Sequence, residues 1–265
     1  MRRQPIQWGK WITGFITALV LVFLHIPILI VIVFSFSDST VISFPIDHFT
    51  TKWYSRVFFE PGGEKLRAAL LNSLEVATVA TLTSCVLGTM SAFAVQRYRF
   101  FGRSFFRVAV AVPLLLPGVV TGIALLVYFR MIGIRQGMTA VMIGHITFCF
   151  PVVFNTIAAR VARLPRSLEE AAADLGANFL QRWTRVVFPS IFSAMLSGGL
   201  LAFTLSLDEI VVTYFLASGS TTLPVAIYTG LRTGFKPDNL AIVTCIIAVS
   251  GLLILLSQWL VRERR

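Results

Sequence analysis

Asp208 and Glu209 stand side by side in a stretch, Val186 to Leu231, that carries no other charge. A carboxylate at membrane depth costs about 2.5–3.5 kcal/mol on insertion scales, so a cation or a polar partner is expected to offset it. On a continuous helix Glu209 shares a stripe with Ala202, Ser206 and Thr213, whereas Asp208, about 100° away, shares one with Ser197, Leu201 and Thr204. Both acids then cannot face one partner. One is expected to line a solute pathway, with Asp208 narrowly preferred, and the other to pair at a helix or subunit contact. The plainer reading makes each a structural ion pair near the external surface. A cation beside these acids would find cation–π surface in Phe203, Tyr214, Tyr128 or Phe148.

Other reactive residue types are sparse. His25 and His145 stand alone in apolar runs, without a His-Glu-x-x-His pattern, and each is expected to be a buried neutral imidazole making one hydrogen bond. Cys85, Cys149 and Cys245 also fall in apolar runs and read as small hydrophobes; no metal site is expected. Glu75 is expected to reach an interface. Gly9-Lys10 is followed by Trp11 and lacks a glycine-rich loop, so no nucleotide-binding motif is present and energy must come from another polypeptide. An intramembrane hydrolase would need a serine with a base and oxyanion donors, yet no Gly-x-Ser-x-Gly occurs and neither histidine has an evident serine partner. A self-contained channel or secondary transporter is the other rival. Pro113, Pro117, Gly118 and Gly122 fall in one apolar run, where proline removes a backbone donor and kinks a helix, marking a candidate gate.

Membrane helices must position these residues. The chain is 56% hydrophobic with a mean hydropathy of +0.81, above the about 45–50% apolar content of soluble domains. Hydrocarbon about 30 Å thick requires roughly 20 apolar residues per helix. Six runs supply them, near 12–36, 70–95, 105–129, 136–159, 190–217 and 240–261, so the fold class is all-α: a polytopic membrane protein with six transmembrane helices in a single domain, 1–265. Ser218, Gly219, Ser220 and Pro224 end the fifth helix near Ala217 and leave Leu223 to Pro237 as an external return segment. The first run is too long for a signal peptide and reads as a retained helix. The net charge of +11 does not imply nucleic-acid binding, because the bases lie between apolar runs. Of 23 Lys and Arg, fifteen fall on the side of Arg97–Arg107, Arg160–Arg185 and the termini, and eight on the other. Both termini are therefore expected in the cytoplasm, with Ser37 to Ala69 a solvated external loop.

The second long loop, 160–189, lies on the cytoplasmic side. Ser167 is positioned to cap a helix with Glu169 and Glu170 in its first turn, the alanines 171–173 are strong helix formers, and Gly176 supplies a stop. A second helix is expected from about Phe179 to Pro189. Glu170-Ala171-Ala172, three residues, Gly176, nine residues, Val186, one residue, Phe188-Pro189 resembles the EAA loop of permease subunits of binding-protein-dependent ABC importers; Val186 and Phe188 replace the Ile and Leu favoured there.

That resemblance implies that Glu170, Ala171, Ala172 and Gly176 couple the chain to an ATPase subunit whose closure is passed to the membrane helices. It implies further partners: a homologous sister permease, two ATP-binding subunits that carry the ATP and Mg, a periplasmic substrate-binding protein, and the lipid of a bacterial inner membrane, with no cofactor in this chain. The stretches Pro113-Leu-Leu-Leu-Pro-Gly-Val-Val-Thr-Gly-Ile-Ala, Gly144-His-Ile-Thr-Phe with Val153-Phe-Asn155, and Phe203-Thr-Leu-Ser-Leu-Asp-Glu-Ile-Val-Val-Thr are similar to the second, shorter permease of spermidine/putrescine importers. The resemblance implies a small cationic amine as solute, moved by alternating access.

Overall fold

A computed structural model describes residues 8–41, 43–233 and 237–262. Arg2, Arg3, Lys236, Arg264 and Arg265, which enter the charge asymmetry, lie outside the described residues.

The long apolar runs become helices: α1 (Trp8–Phe34), a short α2 (Lys52–Phe59), α3 (Glu64–Arg97), α4 (Arg103–Leu115), α5 (Gly118–Met131) and α6 (Met138–Ala162). The loop follows as α7 (Arg166–Asp174) and α8 (Phe179–Arg182), then α9 (Phe188–Asp208), α10 (Val211–Leu216), α11 (Leu223–Thr233) and α12 (Pro237–Arg262). Among the described residues, Gly9–Phe34, Pro61–Arg97, Met138–Ala162 and Phe179–Asp208 are each long and apolar enough to cross a bilayer. The pair α4 and α5 adds a fifth crossing if counted as one span; α12 has a described apolar stretch over Pro237–Val249. α1 is exposed and apolar almost all round, a surface that calls for lipid or protein neighbours. On α3 the small residues among the buried ones, Ala69, Ser73, Ala77, Ala80, Ser84, Gly88 and Ala92, recur every three or four residues, so neighbouring backbones approach closely along that stripe.

Two expected crossings are not continuous helices. The third, 105–129, breaks between Leu115 and Gly118, and its halves meet at 112°. Leu116 precedes Pro117 and takes extended angles (φ −83°, ψ 140°), because the proline ring disfavours the helical region for the residue before it. Pro113 lies inside α4, so the break belongs to Pro117. The fifth, 190–217, stops at Asp208: Glu209 is extended (φ −75°, ψ 118°), and the chain resumes as α10. Ser167 does not cap α7; Pro165 occupies the N-cap position, with Arg166 and Ser167 already in the first turn.

The chain divides into two compact units. In the one that takes in the described parts of Met1–Arg67 and Thr229–Arg265, α1 and α2 pack against α12. Trp53 is buried and donates Nε1 to the Ser37 carbonyl at 2.7 Å, Lys52 pairs with Asp38, and Arg56 Nε lies 3.7 Å from Asp238 Oδ2. In the other, Ala68–Tyr228, α6 and α9 form the main packed pair, with Val153, Ile157, Val161, Ile191 and Ala202 at its centre. α4 lies on α6, and α10 on α5 and α6.

Candidate functional site

The break after α9 brings polar groups together in an apolar setting. Asp208 is the last residue of α9 and is exposed, as are Ser197, Leu201 and Thr204 on its stripe. Glu209 is half-buried and turns back on the chain: its Oε1 accepts the backbone N–H of Val212 at 2.8 Å. It thereby satisfies a donor that the first turn of α10 leaves without an intrahelical partner. The expected continuous stripe of Glu209 with Ala202, Ser206 and Thr213 is replaced by this capping geometry.

His145, fully buried on α6, joins the two sides of the break. Its Nδ1 lies 2.7 Å from Ser206 Oγ on α9 and its Nε2 lies 2.7 Å from Thr213 Oγ1 on α10. The expected single hydrogen bond is two. Each hydroxyl can donate or accept, so either tautomer of the ring completes the set. α10 is further fixed by the segment before α6, where Gln136 Nε2 donates to the Phe215 carbonyl and the Gly137 N–H to the Leu216 carbonyl, both at 2.9 Å.

The resumed halves, α5 and α10, pack on one another. A Cβ on Gly122 would lie 2.7 Å from Phe215 Cδ2, so glycine is what admits that ring, and Gly118 faces Val211. Among the aromatic candidates, Tyr214 on α10 meets Phe215 and Tyr228 edge-on (ring centroids 5.9 and 6.3 Å), Tyr128 on α5 lies beside Phe129 at 6.1 Å, Phe148 on α6 lies 5.1 Å from His145, and Phe203 is half-buried on α9.

The loop 160–189 has a defined shape. Gly176 has φ +81°, a left-handed angle that glycine adopts without a Cβ penalty. Its N–H bonds the Ala173 carbonyl at 2.8 Å while the Ala177 N–H bonds the Ala172 carbonyl at 3.0 Å. This pair of bonds is a Schellman termination of α7. Asn178 and Gln181 then exchange side-chain and backbone hydrogen bonds, both 2.9 Å, a capping box that opens α8. Asn followed three residues later by Gln is its signal in the sequence, one that the expected helix start at Phe179 does not use. Trp183–Val187 forms a π-helical turn before α9, with Pro189 just beyond it. Glu170 and Ala171 are exposed and Ala172 is half-buried, and large apolar side chains of the same loop are open to solvent, with Leu175 89% and Phe179 72% exposed.

The sequence matches the family described as binding-protein-dependent transport system inner membrane component over residues 84–262, which holds both the loop and the acid break. The chain belongs to that family. As its member the protein is a multi-pass membrane permease subunit of an ABC importer, a transport component and not an enzyme. The permease is 35% identical over 254 residues to the Escherichia coli spermidine/putrescine transport system permease protein PotC, covering 95% of this chain and 94% of that one. It is 34% identical over 260 residues to the Escherichia coli putrescine transport system permease protein PotI, covering 95% and 91%. The permease fold is similar to a chain of a bacterial ABC transporter involved in the import of the acidic polysaccharide alginate, with a TM-score of 0.70 at 19% identity over 98% of this chain and 99% of that one. It is also similar to a chain of the MetNI methionine ABC transporter in an inward-facing conformation, with a TM-score of 0.57 at 14% identity over 76% and 94%.

Proposed function

We propose that this permease carries a small cationic amine of the polyamine class into the cytoplasm. The observation that carries the reading is the 35% identity with the spermidine/putrescine permease over 95% of the chain. Asp208 is consistent with it: an exposed carboxylate at a helix break, deep in an apolar segment, supplies the counter-charge that a desolvated ammonium requires. Phe203, Tyr214 and Tyr128 add aromatic faces to the pathway, and the break at Pro117 and Gly118, with Pro113 before it, serves as the gate.

The chain works as a single membrane domain in an inner membrane, with both termini cytoplasmic. It pairs with a homologous sister permease, two ATP-binding subunits that hold ATP and Mg, and a periplasmic binding protein. Glu170, Ala171, Ala172 and Gly176 present α7 to the ATP-binding subunit, and the exposed Leu168 and Leu175 supply apolar contact. Closure of those subunits moves the loop, the helices rock, and solute released outside passes inward.

Competition for uptake tests the solute class. Cells expressing the whole importer take up labelled spermidine, and excess unlabelled spermidine or putrescine is expected to abolish the signal while methionine and alginate oligomers leave it unchanged. Uptake of an acidic or neutral solute that amines do not compete with would overturn the assignment.

A further inference from the structure

We infer that the cytoplasmic end of α3 receives the movement of the loop, and that Arg97 is the positioning residue that transmits it. The inference rests on the reading that α7 docks on an ATP-binding subunit, and it adds where the motion goes next.

Arg97 is the last residue of α3, and its side chain is only 13% exposed. Its Nη2 lies 2.7 Å from Glu169 Oε1, in α7, and donates to the Leu164 carbonyl at 3.1 Å, in the turn that precedes α7. In return, Arg166 Nη2 donates to the Arg97 carbonyl at 2.8 Å. One guanidinium thus holds the turn both before and after Pro165, the point where α7 begins. Both contacts are made by Nη2.

The same face of α3 reaches the other arm of the loop. Phe93 lies one turn before Arg97, at the i, i+4 spacing that places side chains on one face. Its ring meets Trp183 edge-on, with centroids 5.1 Å apart, in the π-helical turn that leads into α9. Between these contacts lies a cleft of about 380 Å³ lined by Phe93, Arg97, Glu169, Arg182 and Trp183 among others. The last turn of α3 is therefore gripped at Glu169 by the arm arriving from α6 and at Trp183 by the arm departing to α9. Movement of α7 displaces the end of α3, whose small-residue stripe carries the displacement along the helix.

Glu169 and Glu170 consequently have different tasks. Glu169 is partly buried against Arg97, whereas Glu170 is exposed and free to meet the partner subunit.

The test uses the complete importer in proteoliposomes, measuring uptake per ATP hydrolysed for R97E, R97Q, E169R and the exchanged pair R97E/E169R. The single variants should lower uptake per ATP about ten-fold, within the range of coupling free energies between sites. ATP hydrolysis should continue, and the exchanged pair should recover most of the ratio. A cysteine at Leu168, cross-linked to the ATP-binding subunit, reports docking separately and shows that each variant has folded and assembled. Cross-linking with an unchanged ratio in R97E and R97Q would overturn the inference and leave the docking reading standing. Low ratios in every single variant that the exchanged pair does not recover would also overturn it. Absence of cross-linking in the Leu168→Cys protein with an otherwise natural sequence would overturn both.

Discussion

Glu209 accepts the backbone N–H of Val212 at 2.8 Å across the break that ends α9 at Asp208. Adjacent acids thus divide into a structural group and an exposed one. Glu209→Gln keeps a side-chain oxygen for the cap, whereas Glu209→Ala removes it at a cost of about 1 kcal/mol. In thermal unfolding of the purified complex, Glu209→Ala is expected to lower the midpoint by about 2–4 °C, with Glu209→Gln and Asp208→Asn close to the unsubstituted protein. An equal loss from Asp208→Asn would contradict the division.

His145 holds Ser206 and Thr213 from opposite sides of the same break. Replacing it with alanine takes from buried Ser206 the partner it has across the break and leaves Thr213 only its long bond to the Glu209 carbonyl at 3.4 Å, at about 1–3 kcal/mol for a group left unsatisfied. His145→Ala is expected to be the least stable of the break variants by thermal unfolding, with a lower yield of assembled complex. A midpoint unchanged from that of the natural sequence would show that the bridge contributes nothing.

Gly176 at φ +81° ends α7. A side chain there adopts the left-handed region at a cost of roughly 1–2 kcal/mol, so the turn is expected to open. Gly176→Leu should insert and assemble in the membrane but lose most uptake, measured in vesicles beside an immunoblot of membrane-bound complex. Full uptake in the combined Glu170→Lys, Gly176→Leu variant would contradict a coupling role for the loop.

The charge asymmetry supports the proposed orientation. Single cysteines at Thr51 and Asn178, in a variant lacking Cys85, Cys149 and Cys245, should react with an impermeant maleimide from opposite faces, Thr51 from outside. Labelling of both from the outside would reverse the account of the loop.

Long helices and the end of α7 were legible in the sequence because their causes are local: runs of apolar residues, and a glycine at a left-handed position. The break at Leu116 also had a local cause in Pro117, but the apolar run around it disguised two half-helices as one. The break at Glu209 had none. Leu207-Asp208-Glu209-Ile210-Val211 contains neither glycine nor proline, and the geometry there is held by His145 on α6, 61 and 68 residues from Ser206 and Thr213. Arg97 and Glu169 likewise meet only after α6 has brought the chain back to the end of α3. In the sequence the motif marks Glu170, whereas Glu169 carries no signal beyond a place in the same first turn.

The most direct measurement is uptake of labelled putrescine and spermidine into proteoliposomes holding the complete importer with its binding protein, with and without ATP, for the natural sequence and for Asp208→Asn. Uptake is expected to require ATP and to fall about ten-fold in Asp208→Asn, the equivalent of ~1.4 kcal/mol lost from the pathway. Amine uptake that persists without ATP, or that is unchanged in Asp208→Asn, Glu209→Gln and the double variant alike, would contradict that expectation.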